Sequence, residues 1–337
     1  MKIVVDAFGG DYAPHEIVLG CIEAVKRNPD VNLVLAGDKD QLEKEFMQDM
    51  YTSDRIEIIH APDIITNNDH PAQAIRQKPS SSIVVAYDYL RKNDDAIGLI
   101  SAGSTGATLT GAILKLGRIK NVSRPALAPI LPTMTGGQVL LCDCGANVDC
   151  KPINLVHFAL MGTAYMKAQG VESPKVALLN VGTEDEKGDE LTKETFGLLK
   201  ENKHINFVGN VEARDVLKGN VDVVVCDGFA GNVCLKTLEG TVELLFGAIK
   251  KEVKASVLAK IGYAVFMKGA FKKVKARLDY KKFGGAPLLG TAKIVIKCHG
   301  NSKASSIANA VEQVITLHKN GMIENISEAV VVDEEQE

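Results

Sequence analysis

Short runs of Val, Ile and Leu recur along the chain, each closing on a glycine or polar turn before a helical pattern begins. The expected strands are "KIVVDA" (2–7), "NLVLAG" (32–37), "IEIIHA" (56–61), "IGLISAG" (97–103), "VLLCDCG" (139–145), "KVALLNVG" (175–182), "INFVGN" (205–210) and "VDVVVCDG" (221–228). They are apolar without alternation, the pattern of strands covered on both faces. Between them "PHEIVLGCIEAVKRN", "PINLVHFALMGTAYMKAQG" and "DELTKETFGLLKEN" carry helical signals. This order predicts an α/β fold, a mostly parallel sheet covered by helices on both faces.

Ligands of such sheets collect beyond the carboxyl ends of the strands. Five polar, glycine-rich turns fall there: "DAFGGD" (6–11), "SAGSTGA" (101–107), "DCGANVD" (143–149), "NVGTEDEKGD" (180–189) and the turn that opens at Asp227. None is a G-x-G-x-x-G or G-x-x-x-x-G-K-[ST] loop, so dinucleotide and P-loop readings lose their sequence support. Backbone amides at helix starts favour a phosphate or another oxyanion. At any single loop, glycines that merely shape a tight turn remain the alternative.

Composition narrows the class. Of 337 residues, 46% are apolar and 24% charged, as in ordinary globular proteins. Tryptophan is absent and aromatics make up 5%, against stacking platforms for nucleic acid. Seven cysteines, mostly inside apolar runs and without a C-x-x-C pair, suggest a reducing cytoplasm and no disulfide framework. "CDCGANVDC" lacks zinc spacing, so no metal is expected. The opening "MKIVVDAFGGD" reads as a strand and turn, not a signal peptide. No apolar run approaches the ~20 residues of a membrane span.

Charge is unevenly spread. Residues 250–282 hold eleven basic side chains against Glu252 and Asp279, a formal +9, so the rest of the chain carries −12 of the net −3. Leu245, Ile249, Val253, Val257 and Ile261 recur every four residues, and Phe271, Val274 and Leu278 follow. Two amphipathic helices joined by an apolar tip, "VLAKIGYAVFMKGAF", are expected. The tip (Val257, Leu258, Ile261) and the lysines (Lys272, Lys273, Lys275) would meet an acidic protein or anionic lipid, or the lysines are a solvated face.

Taken together, "DAFGGDYAP", "SAGSTGA", "CDCGANVDC.P", "LLNVGTEDEKG", "VGNVEARD", "DVVVCDGFAGNVCLKT.EG", "GGAPLLG" and "HGNS" resemble the bacterial phosphate acyltransferase family from residue 1 to about 330. Phe8, Ser104 and Ala213 depart from its usual Met, Asn and Gly, which weakens any carried-over role for the side chain at 104. The resemblance implies an isocitrate/isopropylmalate dehydrogenase-like fold over 1–337, with a helical hairpin at 240–282, and a homodimer. It implies acyl transfer from acyl-[acyl carrier protein] to inorganic phosphate, giving acyl phosphate for phospholipid synthesis without a cofactor. The partners implied are the carrier protein, phosphate, an anionic membrane surface and a downstream membrane acyltransferase; the location is cytoplasmic, peripheral on the membrane's inner face.

That chemistry suits these residues. Phosphate is largely ionised near pH 7, and a phosphopantetheine thiol, at a pKa of about 8.5 by analogy with cysteine, leaves without a strong acid. The demand is to hold a dianion beside a thioester and stabilise the tetrahedral oxyanion. Lys187 and Asn232 lead as contacts, ahead of Asn147, Lys236 and the amides near Gly9, Gly10, Gly103 and Gly231. Asn232 and Lys236 sit one turn apart on a helix, so both can face the anion. Asp6, Asp11, Asp143 and Asp227 are expected to orient lysines, cap helices or bond amides. His299 is either a donor to phosphate or thiol, or a satisfied core histidine. Three rivals stand beside this reading. A serine hydrolase would use Ser104 as nucleophile with His157, His204, His299 or His318 as base. A nicotinamide-dependent dehydrogenase would need arginines that these turns lack. A membrane scaffold would have no reason to assemble five polar turns.

Overall fold

The computed structural model describes residues 1–278 and 283–334. Asp279, Lys281 and Lys282 of the basic segment lie outside the described residues. All eight expected runs form strands: β1 (Lys2–Asp6), β2 (Asn32–Gly37), β3 (Ile56–His60), β4 (Ala96–Ser101), β7 (Gln138–Cys142), β8 (Lys175–Asn180), β9 (Asn206–Glu212) and β10 (Val223–Val225). Four more stand outside that expectation: β5 (Ala126–Leu127), β6 (Ile130–Pro132), β11 (Ala286–Leu289) and β12 (Ile294–Lys297). At two to four residues each, they are too short to show a period.

The strands divide between two sheets. One has seven, in the order β3-β2-β1-β4-β12-β11-β5, and the other five, in the order β6-β7-β10-β8-β9. Five neighbouring strands of the first and four of the second are parallel; β11 runs against β12 and β5, and β6 against β7. Register levels the carboxyl ends at the centre of the first sheet. Val5 pairs with Ile100, and Lys297 pairs with Ser101, so Asp6, Ser101 and Lys297 end together on one edge.

A continuous buried cluster joins Ile3, Leu33 and Ile100 of the first sheet to Leu140, Val176 and Val223 of the second. The helix Pro152–Ala168 is buried along almost its whole length, as its apolar residues on every side require. Gly162 lets it approach the sheet closely; a Cβ there would lie 2.7 Å from Val223 Cγ1.

The helix Gly228–Ala255 starts in this core and leaves it, with Gly228, Gly231 and Cys234 its only buried residues. Ser256, in extended conformation, breaks it and caps the next helix, Val257–Gly262, by accepting from Ala259 N. A π-helical turn, Tyr263–Met267, leads into the helix Lys268–Arg277. Leu244, Leu258 and Phe266 are 74%, 82% and 80% exposed, so several large apolar side chains of this arm stay uncovered among the described residues, while the Tyr263 and Phe271 rings pack edge to face. Among the described residues no helix is long and apolar enough to cross a membrane.

Candidate active site

A cavity of about 260 Å³ opens where the edges of the two sheets meet. Leu127, Pro129, Ile130, Leu131 and Leu235 give it apolar walls; Asn232, Lys236, Glu239, Lys297, His299 and Ser302 give it polar ones. Helical spacing places Asn232 and Lys236 on the same face of the helix Gly228–Ala255, and both reach the cavity. Lys236 Nζ lies 2.7 Å from Glu239 Oε2, and His299 Nε2 lies 4.0 Å from Glu239 Oε1.

Asp227 caps this helix, accepting from Phe229 N at 2.8 Å and Ala230 N at 2.9 Å. Gly231 is required by close approach, since a Cβ would overlap the Asp143 carbonyl oxygen. Its N–H donates to Asp227 O at 3.0 Å, so this amide serves the helix.

The loop after β7 is clipped to itself and to the segment 125–127. Asp143, fully buried, accepts from Leu127 N (2.8 Å), Ala146 N (3.2 Å), Asn147 N (2.7 Å) and Asn147 Nδ2 (3.0 Å). Burial outweighs these donors and pushes its carboxyl up to about 6. Asn147 Nδ2 also donates to Pro125 O at 2.8 Å, so both amide protons are committed, one inside the loop and one to the segment before β5. Asn147 thus ties the loop together in this structure.

A smaller crevice beside the cavity is lined by Asp6, Gly9, Ser101, Gly103 and Ser104. Ser101 Oγ donates to Asp6 Oδ2 at 2.7 Å and accepts from Gly103 N at 3.0 Å. The Gly103 amide is thus also in use. Burial raises the Asp6 carboxyl above its ordinary value, against hydrogen bonds from Ser82 and Ser101. Gly9 is demanded by this crowding, because a Cβ would come 2.5 Å from Asp6 Oδ2 and 2.6 Å from Gly103 N. Gly10 has φ +112°, and its turn brings Asp11 N within 2.8 Å of Gly300 O, beside His299. Ser104 Oγ caps the helix Thr105–Gly111, accepting from Ala107 N. His157, one base a hydrolase would need, sits 2.9 Å from Ser123 Oγ instead.

Lys187 is not brought to the cavity. It is exposed in the turn after β8, where its N–H donates to Glu184 O (3.2 Å) and its carbonyl accepts from Asn180 Nδ2 (3.0 Å). Two charged cavity residues escape a reading of the sequence. Glu239 stands three residues after Lys236 on the same helix, and Lys297 ends β12 directly after an apolar triplet. The run "IVIK" is the available signal for Lys297.

The architecture is shared with solved acyl-transferring enzymes and dehydrogenases. EutD phosphotransacetylase from Staphylococcus aureus superposes with a TM-score of 0.60 at 16% identity, covering 98% of this chain and 94% of that one. A 4-hydroxythreonine-4-phosphate dehydrogenase from Klebsiella pneumoniae gives 0.53 at 13% identity, covering 94% and 98%. At these identities the likeness is one of fold, and it defines a dehydrogenase-like α/β protein. Sequence likeness goes further. A family model described as "Fatty acid synthesis protein" matches residues 1–325. The phosphate acyltransferase of Clostridium novyi (strain NT) is 49% identical over 327 residues, 97% of each chain. The chain belongs to the phosphate acyltransferase family and is an enzyme of that type.

Proposed function

We propose that the enzyme moves a fatty acyl group from acyl-[acyl carrier protein] to inorganic phosphate, releasing acyl phosphate for phospholipid synthesis. Phosphate attacks the thioester directly; the carrier thiolate leaves and no covalent acyl-enzyme forms. The observation that carries this reading is one cavity that joins apolar walls to amide and ammonium donors, as an acyl thioester meeting an anion requires. The candidate nucleophiles point the same way. Cys144 in the cavity wall has its thiol raised well above the ordinary value by burial, which keeps it protonated, and Ser104 Oγ serves as a helix cap.

Phosphate-dependent release of free carrier-protein thiol tests the reading, with Asn232→Ala and Lys187→Ala beside wild type. We expect the Asn232 variant to lose rate about 100-fold, as for one oxyanion donor. A comparable loss in Lys187→Ala would bring the exposed turn over the cavity in the complex. Unchanged rates in both variants would move the site elsewhere and leave the family membership intact.

The exposed arm supplies the second half of the proposal. Lys272, Lys273 and Lys275 are exposed on one helix of the arm and Val257, Leu258 and Ile261 are uncovered on another, a combination suited to an acidic carrier protein, anionic lipid or a second copy of this chain. The enzyme would then work as a peripheral homodimer, handing acyl phosphate to a membrane acyltransferase.

A further inference from the structure

Lys297 is a buried lysine of the cavity. It is 9% exposed at the end of β12, level with Ser101 and Asp6 on the neighbouring strands. Its Nζ donates to the carbonyl of Cys298, which uses one of three ammonium protons. Among the described residues no carboxylate lies within ion-pair distance of it, whereas Lys236 is paired with Glu239 and Lys303 with Glu16. Burial lowers its pKa; Cys298, Asp6 and Asp11 favour its charge at longer range, and Lys236 opposes it. Taking a lone ammonium out of water is expensive, and apolar side chains of similar volume commonly fill such positions at lower cost. A fold that keeps lysine here keeps it for something other than stability.

Position says what that is. Lys297 lines the main cavity together with Asn232, Lys236 and His299, and also a narrow recess behind it bounded by Thr105, Thr108 and Leu127. Where water is excluded, a charge attracts its opposite more strongly than an exposed lysine can. We infer that Lys297 is the principal anion-binding residue of the site, donating one of its remaining N–H groups to an oxygen of inorganic phosphate within reach of Asn232. This rests on the reading of phosphate as acyl acceptor given above. The dianion supplies the counter-charge that the fold withholds. Lys236, balanced by Glu239, then acts at the rim.

The test measures inorganic phosphate binding by calorimetry for wild type, Lys297→Met and Lys297→Arg, with melting temperatures and carrier-thiol release on the same proteins. Methionine keeps the volume and removes the charge. We expect phosphate affinity to fall about 30-fold in Lys297→Met, the effect of one lost hydrogen bond to a charged group. Its melting temperature should stay level or rise, because a buried amine without a carboxylate partner is replaced by an apolar side chain. Arginine should restore part of the affinity. Phosphate binding within twofold of wild type in Lys297→Met overturns the inference, and so does a loss that tracks a fall in melting temperature, which assigns Lys297 to structure. If wild type binds phosphate through Lys297 but releases no carrier thiol, the donor proposed above falls while this inference stands. If phosphate-dependent release is unaffected by Lys297→Met, the reverse holds.

Discussion

Lys236 Nζ and Glu239 Oε2 stand 2.7 Å apart on the cavity wall, one helical turn from each other, and the other Glu239 oxygen faces His299 Nε2 at 4.0 Å. One carboxylate therefore neutralises the cationic side of the rim. It also repels any anion that enters. Replacing it by Glu239→Gln keeps a hydrogen-bond acceptor for Lys236 and removes the negative charge. The expected outcome is a phosphate KM about threefold lower, most marked at low ionic strength. A raised KM would show instead that Glu239 holds Lys236 in its working position.

Two asparagines that look alike in sequence should fail differently. Asn232 lines the cavity, so Asn232→Ala should cut the rate and leave the melting temperature nearly unchanged. Asn147 spends both amide protons on Asp143 and Pro125, so Asn147→Ala should destabilise the fold by about 1–3 kcal/mol. Residual activity in that variant should follow the folded fraction. Thermal melts beside thiol-release rates separate the two, and an Asn147 variant of normal stability but lost rate would return it to the anion site.

The helix carrying Asn232 contrasts two kinds of glycine. At Gly231 a Cβ would overlap the Asp143 carbonyl oxygen, so Gly231→Ala should cost about 3 kcal/mol through overpacking. Gly240, exposed farther along the same helix, has nothing within 4 Å of the place a Cβ would occupy. Gly240→Ala should therefore gain roughly 1 kcal/mol in helix propensity. Denaturant melts of the two variants should move in opposite directions.

What can be read from sequence divides along the range of the forces involved. Strands β1, β4 and β10 are legible because continuous apolar runs are local, and so is the shared face of Asn232 and Lys236, which only the helical period sets. Asp227 as a cap follows from its place before the helix. Lys297 lines the cavity and Lys187 does not, although a reading of the sequence puts Lys187 first and does not single out Lys297, since sequence cannot tell which sheet edges meet. β12 offers only Ile294, Val295 and Ile296 before its lysine, and its place between β4 and β11 is a tertiary fact. The fate of Asn147 depends equally on a partner 22 residues away, Pro125 O, which takes one proton of its amide.

The exposed arm gives a salt-dependent prediction. Charge reversal at Lys272, Lys273 and Lys275 should weaken binding to vesicles containing anionic lipid and to the acidic carrier protein, and added salt should reproduce the effect in wild type. Co-sedimentation measures the first and titration of labelled carrier the second. If neither responds, the lysines are a solvated face and the uncovered apolar residues belong to a contact between copies of the chain.

Asp143 sets a pH dependence of stability whose sign differs from that of an ordinary surface carboxylate. Its folded pKa is raised to about 6 by burial, while the unfolded value is about 3.9. Between these values the folded state holds a proton that the unfolded state has lost. The contribution to stability is thus complete below pH 4 and is lost as the pH rises through 6, a change of about 3 kcal/mol at most. Asp143→Asn is neutral at every pH and removes this dependence, although it disturbs the donors from Asn147. The melting temperature of wild type minus that of the variant should therefore fall from about pH 4.5 to about pH 7 and level off above it. A difference that stays constant across that range would mean the four N–H donors hold Asp143 ionised throughout, with burial the lesser influence.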